Sequence, residues 1–149
     1  MKTKIQTLVI VIFFFVGGGL LCPRFATASQ ESARRNAYAL FMALNLNWDV
    51  RELYNGALLR RKQSVRFETT LREGNTYKIV AAGCDDAYDV DVRVFDENGN
   101  LIDRDVDSSK VAVADVTPKW TGTYYIVVTL YDSKYNGAHV FVEYAYSEE

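Results

Sequence analysis

The stretch that decides the fold is residues 89–131, which read DVDVRVFDENGNLIDRDVDSSKVAVADVTPKWTGTYYIVVTLY. In residues 89–94 valine alternates with charged residues, and this period of two is typical of a strand with one face in a core. Asn98-Gly99 predicts a two-residue type I′ hairpin, because both residues tolerate positive φ. Residues 124–131 are almost wholly β-branched or aromatic, which predicts a central strand covered on both faces.

The period of two extends to both sides of this stretch. Residues 65–69 and 77–81 alternate in the same way, and an irregular first strand, interrupted near Asn55-Gly56, precedes them. A second Asn-Gly turn, Asn136-Gly137, introduces a last strand. We therefore predict an all-β fold for residues 48–149: an antiparallel, jelly-roll-like β-sandwich of seven to eight strands. A small antiparallel barrel is the alternative that the same pattern permits.

One N-terminal α-helix is predicted ahead of the sandwich, in residues 29–47. Ser29 or Ser32 can cap its start. A stripe of apolar residues at three- and four-residue spacing runs along one side: Ala33, Ala37, Leu40, Phe41 and Leu44. This stripe packs on the sheet or docks to a partner, and the sequence leaves both alternatives open.

Residues 1–28 have the pattern of a cleavable signal peptide. Lys2 and Lys4 precede an uncharged run over residues 8–21, and Ala26-Thr27-Ala28 provides a small-x-small cleavage motif. We predict Ser29 as the mature N-terminus and a secreted or periplasmic protein with no membrane span after cleavage. The alternatives are an uncleaved anchor and a lipoprotein, but the run is short for a spanning helix and Leu21 is large for the position before a lipidated cysteine, Cys22.

The composition argues against several classes of protein. Of the 149 residues, 49% are hydrophobic and 13% aromatic, which argues against a disordered chain. Without residues 1–28 the chain has 14 basic and 19 acidic side chains, a net charge of −5, which argues against a nucleic-acid binder. One histidine, His139, and no G-x-S-x-G elbow argue against an enzyme. Cys84 is then the only cysteine, so we expect a free, buried thiol.

Three segments resemble the bacterial pre-peptidase C-terminal domain family. They are LREGNTYKIVAAG (71–83), CDDAYDVDVRVFDENGNLIDRD (84–105) and VTPKWTGTYYIVVTLYD (116–132). The resembling features are the D-x-D strand, the hairpin that follows it and the small-Gly-x-Tyr segment before a central strand. The resemblance covers about two thirds of the mature chain.

The resemblance implies a small, non-catalytic β-sandwich that assists a secreted protease through adhesion, solubility or calcium-assisted stability. This chain carries no protease domain ahead of the sandwich, so we expect a free-standing version. Some relatives carry a second cysteine near the last hairpin, whereas residues 133–136 here are Ser-Lys-Tyr-Asn.

Four carboxylates crowd into seven residues: Asp85, Asp86, Asp89 and Asp91. Calcium takes six to eight oxygen ligands, many of them carboxylates, so these residues are a candidate calcium site. The alternative is a solvated acidic rim that keeps an exported protein soluble. Residues 96–100 resemble the start of an EF-hand loop, but Leu101 stands where that loop needs glycine.

The chain is also rich in tyrosine. Tyr124 follows Gly122 at the start of the predicted central strand, the setting of a tyrosine corner with its hydroxyl on a nearby backbone group. Exposed tyrosines can form a flat binding face, and the main candidates are Tyr125, Tyr131, Tyr144 and Tyr146. Alternation places each pair on one face of its strand, but the register between the two strands is not fixed by the sequence.

These features predict an exported, non-catalytic binding module for an extracytoplasmic protein or polysaccharide. The alternative is an accessory subunit of a secreted or envelope complex that docks through the N-terminal helix. Burial of the helix stripe against the chain's own sheet would remove the basis of this alternative.

Overall fold

The computed structural model describes residues 24–44 and 48–148, which form one helix and eight strands. Their bounds are α1 Arg24–Leu44, β1 Asp49–Arg60, β2 Gln63–Leu71, β3 Asn75–Gly83, β4 Ala87–Asp96, β5 Leu101–Asp105, β6 Val111–Val116, β7 Gly122–Ser133 and β8 Gly137–Glu148.

The strands form two four-stranded antiparallel sheets. Sheet A has the strand order β1-β8-β3-β6, and sheet B has the order β2-β7-β4-β5. This is the order of a jelly roll, in which consecutive strands cross between two packed sheets. The predicted jelly-roll-like sandwich is therefore confirmed, and the barrel alternative is wrong. The predicted irregularity of β1 is also found, as register shifts between Glu52 and Tyr54 and between Tyr54 and Ala57.

The core lies between the two sheets and follows the period of two. β4 contributes Val90, Val92 and Val94, all fully buried, as the alternation of valine and charge predicts. The inward side chains of β7 are equally buried: Tyr124, Ile126, Val128 and Leu130. Sheet A supplies its own inward residues, among them Ile79 and Ala114, which face each other across β3 and β6.

The helix covers the outer face of sheet A. Ala33, Ala37 and Phe41 are buried there, opposite a face of β3 and β8 that includes Val80 and Phe141. Two polar contacts fix α1 to the end of β3. The side-chain amide of Asn36 donates to the Gly83 carbonyl at 2.8 Å, and the Ser32 hydroxyl accepts from the Asp85 backbone nitrogen at 3.3 Å. The stripe therefore packs on the chain's own sheet.

The leader stays a prediction, because residues 1–23 lie outside the described residues. The described part of the helix, Arg24–Leu44, runs across the predicted junction after Ala28, and the predicted end at residue 47 lies outside the described residues. No helix in the described part of the chain is long and apolar enough to cross a membrane.

The hairpin between β4 and β5 differs from its prediction. Only Gly99 has positive φ, at 81°, and Asn98 does not, so the turn is not of type I′. The Gly99 nitrogen donates to the Asp96 carbonyl at 3.1 Å, which closes a turn followed by a left-handed glycine. The carboxylate of Asp96 accepts from the backbone nitrogens of Asn98 at 2.9 Å and Asn100 at 2.8 Å. These bonds favour the longer loop over a two-residue turn.

The central strand β7 is covered on one face only. Its inward residues are buried as predicted, but its outward side is not covered by any element in the described part of the chain. Tyr125 and Val127 are half-buried by their neighbours on sheet B, and Tyr131 is 51% exposed. The prediction that this strand is covered on both faces is therefore wrong. The strands covered on both faces are β3 and β8, which lie beneath α1.

Candidate functional site

The four candidate calcium ligands do not point to one position. Asp85 lies between two cations, at 3.7 Å from the Arg35 guanidinium and 3.5 Å from the Lys110 ammonium. Asp86 is in the same turn, where its carbonyl accepts from the Lys134 backbone nitrogen at 2.8 Å. Asp91 lies on the outer face of sheet B and pairs with Arg93 at 3.2 Å.

Asp89 is half-buried and lies near the carboxylates of Asp91 and Asp132. One of its carboxylate oxygens, Oδ1, is buried without a hydrogen-bond partner. Burial raises the pKa of Asp89, and the nearby charges of Asp91 and Asp132 raise it further. No group of three or more His, Cys, Asp or Glu side chains is placed to hold a metal ion within residues 24–44 and 48–148. Calcium binding at these aspartates thus stays a prediction without support from the geometry.

The four candidate tyrosines do not form one surface. Tyr144 and Tyr146 lie on the face of β8 that points between the sheets, because they pair with Ile79 and Tyr77 of β3. Their rings pack around Tyr77, with ring centroids 5.7 Å and 5.8 Å from it. They are part of the end of the core, and the aromatic-face prediction therefore reduces to Tyr125 and Tyr131.

Tyr124 occupies the predicted tyrosine corner. Its ring is buried, and its hydroxyl donates to the carbonyl of Trp120 at 3.3 Å. Trp120 stacks on the same ring, with the centroids 6.3 Å apart. Burial raises the pKa of Tyr124, and the carboxylates of Asp96 and Glu97 raise it further. The residue is a structural element at one end of the sandwich.

His139 and Cys84 lie beside each other without forming an activated pair. The Cys84 backbone nitrogen donates to the His139 carbonyl at 2.9 Å, and the Cys84 thiol is buried and free. Nδ1 of His139 is buried without a hydrogen-bond partner among the described residues, and burial lowers the pKa of the ring. A nucleophile needs a hydrogen-bonded base, which this Nδ1 does not provide.

The outer face of sheet B, which we call the open face, has an ordered arrangement of side chains. One cross-strand row runs through the pairs Glu68–Tyr125, Tyr125–Phe95 and Phe95–Leu101. The depression beside this row measures about 530 Å³ and is lined by Phe95, Tyr125 and the hairpin residue Gly99. The face is thus broad and open rather than a deep pocket.

The next row of the open face has three arginines. Arg66 of β2 pairs with Val127 of β7, Val127 pairs with Arg93 of β4, and Arg93 pairs with Arg104 of β5. We call Arg66, Arg93 and Arg104 the arginine row. The alternation within each strand places these residues on one face, but only the register between strands places them in one line, so the sequence could not predict the row.

Tyr125 and Tyr131, the two tyrosines of the open face, each have a cation over the ring. The guanidinium carbon of Arg66 is 4.6 Å from the ring centroid of Tyr125. The ammonium of Lys62 is 5.9 Å from the ring centroid of Tyr131. At these distances the cations and rings attract each other. The ring of Tyr125 is therefore partly covered and supports a guanidinium.

No protein-family profile matches the chain, and no curated protein matches it. Among solved structures, it is similar to PliG of Aeromonas hydrophila, a periplasmic inhibitor of g-type lysozyme. That match has 16% identity and a TM-score of 0.47 and covers 69% of this chain and 89% of the inhibitor.

Two further solved structures are similar at lower scores. TmCBM61, solved with β-1,4-galactotriose, matches with 13% identity and a TM-score of 0.41, over 69% of this chain and 89% of that one. An acetyl xylan esterase of Butyrivibrio proteoclasticus matches with 13% identity and a TM-score of 0.38, over 68% of this chain and 32% of the esterase. At these values no residue role is carried over to this chain.

Proposed function

We propose that this protein is an exported, non-catalytic β-sandwich binding module that holds an extracytoplasmic protein or polymer on the open face of sheet B. The observation that carries the proposal is the composition of β7. Its outward residues include Tyr125, Val127 and Tyr131, which is typical of a strand covered on both sides. No element of the described chain covers that side. We therefore infer that a partner molecule covers the outward side of β7.

The residue types of the open face support this proposal. Tyrosine and arginine are enriched in protein interfaces, and this face has both, in Tyr125 of the inner strand β7 and in Arg66 of the edge strand β2. Leu101 adds apolar surface at the edge, since it is 46% exposed. The Arg66 side chain is already held over the ring of Tyr125, so these two side chains lose little conformational entropy when a partner binds.

The accessory-subunit alternative has lost its basis. That alternative requires the helix stripe to be available, but Ala33, Ala37 and Phe41 are buried against sheet A. Leu40 is half-buried against the same core, and only Leu44, at the end of the helix, is exposed. A partner that binds the stripe would have to displace the helix.

Export and family remain part of the proposal. The uncharged run and the cleavage motif support a secreted or periplasmic location. Within the described residues Cys84 is a free, buried thiol, which is compatible with an oxidising compartment. The three segments that resemble the pre-peptidase C-terminal domain support a relationship to that family.

The test is a comparison of two single-tyrosine variants. Extracytoplasmic extract of the producing organism is passed over immobilised protein, the retained protein or polysaccharide is identified, and its dissociation constant is measured by titration calorimetry. Tyr125→Ala should weaken binding by about tenfold or more, as expected for a central aromatic contact. Tyr135→Ala is the matched control, because Tyr135 is 60% exposed in the β7–β8 loop, away from the open face. Equal binding by both variants would contradict the proposal.

A further inference from the structure

The arginine row indicates what kind of partner the open face binds. Building on the proposed function, we infer that this partner is a protein whose surface presents carboxylates to Arg66, Arg93 and Arg104. Arginine offers a planar set of donors that matches a carboxylate in a bidentate arrangement. Three such groups in one line select for an acidic segment rather than for a single anion.

The spacing of the row follows from the sheet. Neighbouring strands lie about 4.8 Å apart, so Arg66 and Arg104 stand on strands separated by about 14 Å. Val127 lies on the strand between Arg66 and Arg93. The row therefore has Arg66 and Arg104 on the two edge strands and Arg93 on an inner strand, with the apolar side chain of Val127 between Arg66 and Arg93.

The three arginines differ in how far they are already satisfied. Arg66 lies over Tyr125, and Arg93 pairs with the buried carboxylate of Asp91 at 3.2 Å. The Arg104 side chain is exposed and has no hydrogen bond or ion pair with any residue in the described part of the chain. Arg104, together with the exposed side of Arg66, is thus available to an external carboxylate.

The charge of this row is opposite to that of the protein. The full chain has a net charge of −2, and without residues 1–28 the net charge is −5. A line of cations on the uncovered face of an acidic protein attracts an acidic partner to that face and disfavours other approaches. Glu68 and Glu97 lie near one end of the face, and Asp91 partly neutralises Arg93, so the attraction is centred on Arg66 and Arg104.

The apolar neighbours of the row favour a protein over an acidic polysaccharide. Val127 and Phe95 lie within or beside the row, and Leu101 extends the apolar surface to the edge strand. Protein interfaces combine such apolar centres with arginine. A neutral sugar would instead stack on an open aromatic ring, but the ring of Tyr125 is under Arg66.

The first test compares two polymers that both carry carboxylates. The probes are a random copolymer of glutamate and tyrosine and, as the sugar counterpart, polygalacturonate. We expect the copolymer to bind more tightly and its affinity to fall with rising salt. Arg66→Gln with Arg104→Gln should weaken it by about tenfold or more. Arg93 is left in place because its removal would leave the Asp91 carboxylate buried and unpaired.

The control removes the same charge elsewhere. Arg72→Gln with Lys119→Gln also lowers the net charge by two at exposed positions outside the row, and it should change copolymer binding by less than about threefold. Equal losses in the two double variants would overturn the inference. Tighter binding of polygalacturonate than of the copolymer, or no binding of the copolymer at all, would also overturn it.

The second test places a carboxylate of the protein itself inside the arginine row. Val127→Glu places a carboxylate between Arg66 and Arg93, so it should compete with the copolymer and abolish binding, whereas Val127→Gln should retain it. Equal binding by these two variants would contradict a carboxylate partner. Binding of the natural ligand distinguishes this inference from the proposed function. If Tyr125→Ala weakens that binding but Arg66→Gln with Arg104→Gln does not, the inference alone is overturned.

Discussion

The carboxylate of Asp105 accepts a hydrogen bond from the backbone nitrogen of Val113 at 2.9 Å, so a side chain of sheet B takes the place of a neighbouring strand for sheet A. Asp103 does the same for the backbone nitrogen of Asp115 at 2.7 Å. Both acceptors lie on β5 and both donors on β6, which are the edge strands at one side of the sandwich. The two carboxylates thereby close this side and satisfy amides that an exposed edge would leave open.

Removing this contact should destabilise the fold. Asp105→Ala should lower the free energy of unfolding by about 1–2 kcal/mol, because the Val113 amide loses a charged acceptor. Asp107→Ala is the control, since Asp107 is exposed beyond the end of β5. Urea unfolding followed by circular dichroism measures both. Equal midpoints for the two variants would show that the carboxylate contributes nothing to the edge.

The packing of α1 gives a second prediction. Phe41→Ala should cost about 3 kcal/mol of stability, because Phe41 is buried between the helix and sheet A. Met42→Ala changes the neighbouring residue, which is 64% exposed, and should cost less than about 0.5 kcal/mol. Thermal unfolding of both variants provides the comparison. Similar small losses in both would mean that the helix stripe is not part of the core.

The sequence predicts each strand's inward side only where the two faces differ in polarity. In β4 valine alternates with charged residues, so Val90, Val92 and Val94 are recognisable as core. In β8 both faces are apolar, because one faces sheet B and the other faces α1. The position of Tyr144 and Tyr146 therefore depends on the pairing of β8 with β3, a contact between distant segments that no local pattern encodes.

The sequence predicts the open face only in part, through Tyr125 and Tyr131, for a related reason. The apolar sequence of β7 does indicate two apolar sides, but it does not say whether the chain itself or another molecule covers the second. The arginine row depends on the registers of three strand pairs at once, which are set by core packing and by turns. The hairpin was mispredicted because the Asp96 carboxylate binds two backbone amides, a side-chain contact that outweighs the preference of Asn98-Gly99.

Asp89 should lower stability at neutral pH. Its folded-state pKa is raised above 3.8, so the unfolded state loses this proton first and stability falls as pH rises through the two pKa values. Asp89→Asn removes this loss and should raise the free energy of unfolding at pH 7, by a small amount because the group is partly exposed to solvent. At pH 3 the variant and the original should converge. Asp107→Asn, with the same change of charge at an exposed site, should show no such pH-dependent gain.

Calcium should leave the stability unchanged. A site with a dissociation constant of about 0.1–1 mM would raise the melting temperature by several degrees at several millimolar calcium. We expect no shift, because Asp85 pairs with Arg35 and Lys110 and Asp91 pairs with Arg93. Differential scanning calorimetry in calcium and in chelator checks this. A shift that disappears in Asp89→Asn with Asp91→Asn would instead establish the calcium site.

The single histidine gives the last prediction, a loss of stability in mild acid. Burial lowers the folded-state pKa of His139 below 6.5, so the unfolded state binds a proton at a pH where the folded state does not. Stability is then fully present above about pH 6.5, falls as pH decreases from there, and levels off below the folded-state pKa. Nδ1 gains no partner in the folded state that would offset this loss.

The measurement is chemical unfolding at intervals from about pH 5 to pH 7.5. In this window most carboxylates stay ionised, and His139 is the one side chain whose ordinary pKa lies within it. His139→Gln cannot take up this proton, so its stability should depend less on pH than that of the original protein. Above pH 7 the free energies of unfolding of the two proteins should depend on pH in the same way. Parallel curves across the whole window would mean that His139 titrates alike in the folded and unfolded states and that its burial has no energetic consequence.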